Sequence, residues 1–313
     1  MKKYLFLLVA AVSVLTVSAQ PGQGAQTEIM KMKTADGNVV RIEVSNVKEL
    51  SFGSLFHAFD GYILANGNYF QDFYAGGATK LSVYKANEGY DIHISDAIWG
   101  EAEFENVTMD RGQLSGNGSI SVSQQYGGKT YDASISGPMS NPTIDVPGLM
   151  QGGTKLTFNL GEVPQAILVK GRHNGSVSVM VGDNFGPYVN SDVTYQITAN
   201  GDGTINVVVP EYTLDNTQIG NLTLGSYTVS NIAYDKEKGS FYRDYKDDNL
   251  VFHFKAENGG QTTMDGDYSF TLGRIEVKNS DAGISIVNNF QMGRMPFPIT
   301  STFTKGQGGN PHQ

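Results

Sequence analysis

Beyond the first 20 residues, apolar and polar side chains alternate with a period of two over short runs, and glycine punctuates the runs. Leu81-Ser82-Val83-Tyr84-Lys85, Tyr90-Asp91-Ile92-His93-Ile94, Tyr131-Asp132-Ala133-Ser134-Ile135, Ile205-Asn206-Val207-Val208-Val209 and Leu250-Val251-Phe252-His253-Phe254 are of this kind. Each run has one apolar and one mostly polar face, as strands of antiparallel sheets with one wet side do. Helical periodicity is scarce. Even the stretch from Ser240 to Asn258, free of Gly and Pro, alternates over its second half and carries Tyr, Phe and Val. A turn or two around Asn46 to Leu50 is the one helical segment the pattern suggests. The reading is all-β.

The pattern repeats. Asp60-Gly61-Tyr62-Ile63-Leu64 aligns with Asn174-Gly175-Ser176-Val177-Ser178, a shift of 114. At that shift Leu81 and Val83 fall on Tyr195 and Ile197, and Gly89 falls on Gly203. With one inserted residue, Asn106-Val107-Thr108-Met109 falls on Asn221-Leu222-Thr223-Leu224; Pro164–Gly171 resembles 298–306. The expected copies are therefore 57–171 and 172–306. A unit of this length, cut into strands of about 5–9 residues, holds about eight strands, enough for a small closed barrel or a two-sheet sandwich. Ahead of them, residues 28–56 form an N-terminal segment whose hairpin turns at Asp36-Gly37. Residues 20–27 and 307–313 lack apolar content and are expected to be flexible.

The N-terminus changes the picture of compartment. Lys2 and Lys3 precede an apolar run from Leu5 to Val17 that closes on Val17-Ser18-Ala19, the pattern of a cleaved signal peptide over 1–19. The run is shorter than the roughly 20 residues that span a bilayer as a helix, so no transmembrane segment is expected in the mature chain. With no cysteine anywhere there is neither a disulfide framework nor a lipoprotein anchor. The expected location is periplasmic or extracellular. Loss of Lys2 and Lys3 takes the net charge from −9 to −11, and no basic stripe argues for nucleic acid.

A signal ending Ser18-Ala19-Gln20, the lead-in Thr34-Ala35-Asp36-Gly37 and Val47-Lys48-Glu49-Leu50-Ser51-Phe52, and β-repeats with Asn-Val-Thr or Asn-Leu-Thr strands resemble the calycin-like β-barrel proteins exported by Gram-negative gut anaerobes. The resemblance covers most of the mature chain. It implies two tandem antiparallel lipocalin-like barrels, favoured over β-sandwiches, and carries no established activity. The Gly-x-Trp signature of true lipocalins is absent: the corresponding starts are Gly61-Tyr62-Ile63 and Gly175-Ser176-Val177.

Candidate chemistry is sparse. His93 and His253 sit on polar strand faces, His57, His173 and His312 fall in connections or the tail, and no pair has zinc-site spacing. Glu101, Glu103 and Glu105 share one strand face and read as a solvated acidic row. Thr198 to Ile205 echoes a calcium loop without its first acid or closing glutamate. No nucleophile elbow, P-loop or dinucleotide fingerprint appears. No catalytic residue, metal or cofactor is expected. The expectation is a noncatalytic, monomeric binding protein for a small apolar or amphipathic ligand, or for a surface glycan or protein. An outer-membrane β-barrel and an adhesive surface subunit are the alternatives. The second copy's apolar faces carry the larger side chains, so any cavity is expected in the first copy, with Trp99 near its rim and Phe104 inside as ligand contacts.

Overall fold

The computed structural model describes residues 29–33, 39–43, 54–86 and 88–305. The expected signal peptide, the terminal segments 20–27 and 307–313, the expected Asp36-Gly37 turn and the segment around Asn46 to Leu50 lie outside the described residues. The N-terminal hairpin is present as strand β1 (Ile29–Lys33) paired with β2 (Val39–Glu43), Ile29 opposite Glu43.

The first unit is a closed ring of eight antiparallel strands: β3 (Ser54–Gly67), β5 (Thr79–Lys85), β6 (Tyr90–Asp96), β7 (Gly100–Asp110), β8 (Gln113–Val122), β9 (Thr130–Pro138), β10 (Thr143–Val146) and β11 (Thr154–Leu160). β11 closes the ring on β3, and a short strand, β4 (Phe70–Phe73), lies on β3 outside the ring. Alternation aims the apolar face inward: Ile92 and Ile94 of β6, Ala102 and Phe104 of β7 and Leu81 of β5 are buried, while His93, Glu101 and Glu103 face out.

After the turn at 161–164, helix α1 (Gln165–Val169) leads into the second unit. Its ring comprises β12 (Gly171–Val181), β13 (Phe185–Ala199), β14 (Ile205–Val209), β17 (Tyr227–Asp235), β18 (Ser240–Asp244), the second half of β20 (Gln261–Ser280), β21 (Gly283–Met292) and β22 (Ile299–Lys305). Again the last strand, β22, pairs with the first, β12. Two insertions leave this ring. One is the hairpin β15 (Tyr212–Thr217) and β16 (Gly220–Leu224); the other is β19 (Val251–Asn258) with the first half of β20. Together they make a four-stranded sheet in the order β15-β16-β19-β20.

The fold is thus all-β with two tandem eight-stranded antiparallel barrels, as read from the sequence. Each unit has its own apolar core, and Ala166 and Val169 of α1 are buried in the second. The division between cores therefore falls at 161–164, ahead of the limit expected after residue 171. At the other end, β3 begins at Ser54, before the limit expected at 57.

The glycine match that located the repeat has a physical basis. A Cβ on Gly61 would lie 2.2 Å from the Asn159 carbonyl oxygen and against the Phe158 ring; on Gly175 it would lie 2.2 Å from the Thr304 carbonyl oxygen and against the Phe303 ring. Both glycines admit the closing strand. It follows that β22 corresponds to Thr154–Leu160, not to Pro164–Gly171, which holds α1. The Asn106 match also moves. Asn106 and Asn231 both have φ of 55° at a bulge, and their amides donate to Asp91 Oδ1 at 3.0 Å and Asn206 Oδ1 at 2.9 Å. Asn221 instead belongs to the inserted β16 and has no counterpart in the first unit. Asparagine suits this position because the left-handed region is costly for most L-residues.

Candidate functional site

In the first unit the barrel end near Trp99 is sealed. β6 stops at Asp96, whose carboxylate accepts the amides of Ile98 at 2.8 Å and Trp99 at 2.7 Å and the Thr79 hydroxyl at 2.5 Å. This tight turn swings the indole into the barrel, where it stacks on Tyr126 with centroids 4.7 Å apart and planes at 10°. Trp99 and Phe104 are 1% and 0% exposed. Both are core residues: Trp99 stands in the turn at the barrel end with its indole N–H buried and without a hydrogen-bond partner, not solvated, and neither residue lines the cavity described next. The depression beside Gly61, Thr79 and Gly161 is smaller, about 380 Å³, and open, with Asp60, Lys80 and Glu162 among its lining residues.

A cavity of about 670 Å³ lies instead in the second unit, between one end of the barrel and the inserted sheet. The expectation that it belongs to the first copy is therefore corrected. The reason is the connection after the third strand of each ring: in the first unit it is the tight turn that inserts Trp99, whereas in the second it is the β15–β16 hairpin, which props the end open. Val179 of β12, Leu214 of β15, Leu224 of β16, Phe254 of β19 and Ile299 of β22 are buried and form the deep wall. Ile219, Met264 and Phe297, 47%, 38% and 46% exposed, edge the mouth.

The 293–298 connection borders the mouth and is tied down. Gly182 N donates to Pro298 O at 2.8 Å, Gly293 N to Ser269 O at 3.2 Å, and Met295 N to Met292 O at 3.0 Å; the Gln291 side-chain amide also donates to Met295 O. The Phe297 ring rests over Gly182 and 6.0 Å from Phe185. The polar lining is small. Thr217 donates its hydroxyl to Gly220 O at 2.5 Å, Tyr188 accepts the Gln218 amide at 3.4 Å, and Arg294 is the one charged lining residue.

Deeper in the same barrel, buried hydroxyls form a belt. Tyr245 donates to Asn288 Oδ1 at 2.7 Å, Asn288 Nδ2 donates to the Tyr227 oxygen at 2.5 Å, and the two tyrosine oxygens are 3.3 Å apart, closing a three-membered ring. Burial raises the pKa of Tyr195, Tyr227 and Tyr245 well above the ordinary phenol value and that of Tyr212 to about 12, so these phenols are neutral. The hydroxyls of Tyr195 and Ser301 are buried without a hydrogen bond.

The histidines do not converge. His93 meets Glu101 at 2.7 Å and Glu103 at 3.5 Å on an outer face. Burial, followed by an opposing pull from His93, leaves the Glu103 carboxyl raised. His253 lies between Asp265 at 3.0 Å and Asp267 at 2.9 Å and is raised, the Asp267 hydrogen bond being the main cause. His57 and His173 occupy β3 and β12, not connections. His173 is buried, its Nε2–H donates to Val169 O at 2.8 Å, and desolvation lowers its pKa. Among the described residues no group of three or more His, Asp and Glu is placed to hold a metal ion.

Known proteins compare as follows. The family model of the calycin-like β-barrel domain matches residues 169–306, which are the second barrel with its inserted sheet. The resemblance read from the sequence is borne out there. The calycin-like domain thus contains the whole cavity. A search of curated proteins finds no match. The chain is also similar to a crystal structure of a "putative outer membrane protein" from Bacteroides fragilis, at 21% identity and a TM-score of 0.59, covering 80% of this chain and 97% of that one. At that identity the likeness concerns the fold. The one sequence trace of the insertion that forms the cavity is the extra length of the second copy around Tyr212–Leu224, which the alignment with Asn106 conceals.

Proposed function

We propose that this is an exported, noncatalytic binding protein whose calycin-like domain holds a small apolar ligand between its barrel and its inserted sheet. The observation that carries this reading is the cavity of about 670 Å³, walled by buried aliphatic and aromatic side chains, within the range of about 300–1,000 Å³ common for small-molecule sites. Met264, Met292 and Met295 give the wall adaptable surface. A periplasmic or extracellular location agrees with the N-terminal pattern and with the name carried by the Bacteroides fragilis neighbour. The rings themselves do not suit a lipid-spanning barrel, which is apolar outside and polar within: here the cores are apolar, and Glu101, Glu103, Arg274 and Lys278 face outward.

Titration of the full mature chain with the neutral fluorophore N-phenyl-1-naphthylamine is expected to show saturable one-to-one binding. Bound probe should slow hydrogen exchange in 212–224, 261–269 and 293–298. Absence of saturable binding, or protection confined to the first unit, would refute the reading.

A further inference from the structure

Arg294 is the one formal charge on a wall that is otherwise aliphatic, aromatic or neutral and polar. It stands in the 293–298 connection at the mouth, between the barrel rim and the inserted sheet, and is exposed. Among the described residues it has no hydrogen-bond or ion-pair partner. The acids nearest in sequence on the inserted sheet, Asp265 and Asp267, are engaged with His253. The chain as a whole is acidic, with 31 Asp and Glu against 22 Lys and Arg. An unengaged cation at the entrance of an apolar cavity therefore runs against the general field. The backbone beside it is held by Gly293 N–Ser269 O and Met295 N–Met292 O bonds, and Tyr268 packs against Gly293. The guanidinium thus issues from a fixed base, and the deep wall formed by Val179, Leu214, Phe254 and Ile299 offers no charge to match it.

Resting on the binding function proposed above, we infer that the ligand is an anionic amphiphile, a long-chain carboxylate, with its chain in the cavity and its head on Arg294. A guanidinium offers paired donors in the fork geometry that a carboxylate accepts. A chain lying against Met292, Leu224 and Phe254 leaves water without leaving any polar group unpaired, because its one polar end stays at the mouth. The reverse orientation would place the anion in an apolar wall.

The test uses the full mature protein with 11-(dansylamino)undecanoic acid and its methyl ester as probes, for the natural chain and Arg294→Gln. At low salt the acid is expected to bind about tenfold or more tightly than the ester, the scale of one charge-assisted contact. Arg294→Gln should bring the acid to the ester's affinity and leave the ester within about twofold of its original value, a shift that general loss of structure would not give. Raising the salt should shrink the acid's advantage. Equal binding of acid and ester by the natural chain, or an acid advantage that survives Arg294→Gln, would overturn the inference while leaving an apolar site. Failure of both probes to bind would overturn the inference together with the function on which it rests.

Discussion

At the scale of single residues, local chemistry was more legible than location. The alternation placed His93 and His253 correctly on outer faces, because the inward neighbours Ile92, Ile94, Phe252 and Phe254 are unambiguously apolar. His173 was misread because the glycine two residues on, Gly175, looks like a turn; it is in fact the seat of the Phe303 ring in the middle of a strand pairing. The buried imidazole has a consequence for pH. Its folded-state pKa lies below the ordinary histidine value, since burial disfavours the cation. Above pH of about 6.5 both states are neutral and the group is without effect. As the pH falls below that, the unfolded chain takes up a proton that the folded chain refuses, so stability declines until the folded pKa is reached. The slope from this group is at most about 1.4 kcal/mol per pH unit. Urea unfolding of the second unit at pH 7.5 and 5.5 should show the decline, and His173→Gln, which keeps a donor for Val169 O, should lessen it. An unchanged pH dependence in that variant would assign the decline to other groups.

At the scale of elements, the strands were readable and their partners were not. Tyr212–Thr217 and Gly220–Leu224 alternate just as barrel strands do, with Tyr212, Leu214, Leu222 and Leu224 inward. Period-two patterning reports that a strand has a buried face, not which sheet buries it. Hence neither the inserted sheet nor the cavity beneath it was legible, and Trp99 was assigned to a rim because its Asp96-capped turn is a contact of side chain with backbone. The first unit shows that the ring needs no such hairpin: β6 and β7 join by the short turn through Trp99. In the second unit Val209 already faces Tyr227 across β14 and β17. Replacing residues 211–225 by a short Gly-Asn linker should therefore leave a cooperative β-type melt of the second unit but abolish binding of N-phenyl-1-naphthylamine. Retained affinity would move the site elsewhere; calorimetry and the same fluorescence titration give both readouts.

At the scale of the whole molecule, duplication was legible through Gly61 and Gly175, while the extent of each copy was blurred by insertions that changed the spacing. Two separate cores predict two calorimetric transitions. Gly61→Ala and Gly175→Ala each force a methyl group into a strand carbonyl and a phenyl ring, a form of overpacking that costs about 1–3 kcal/mol. Each should lower one transition and spare the other; movement of both by either variant would mean the units unfold together. The pairing of first strand with last sets the tempo of assembly. Gly61 meets Leu160 and Gly175 meets Lys305, contacts that span nearly the whole of each unit. The hairpins along each ring can zip in sequence, but the entropy of closing so long a loop must be met before the final seam returns any free energy. Until then β3 and β12 keep bare edges, and because β11 and β22 fit alike over a glycine, the closing strand of one ring is also the nearest competitor for the other's open seam.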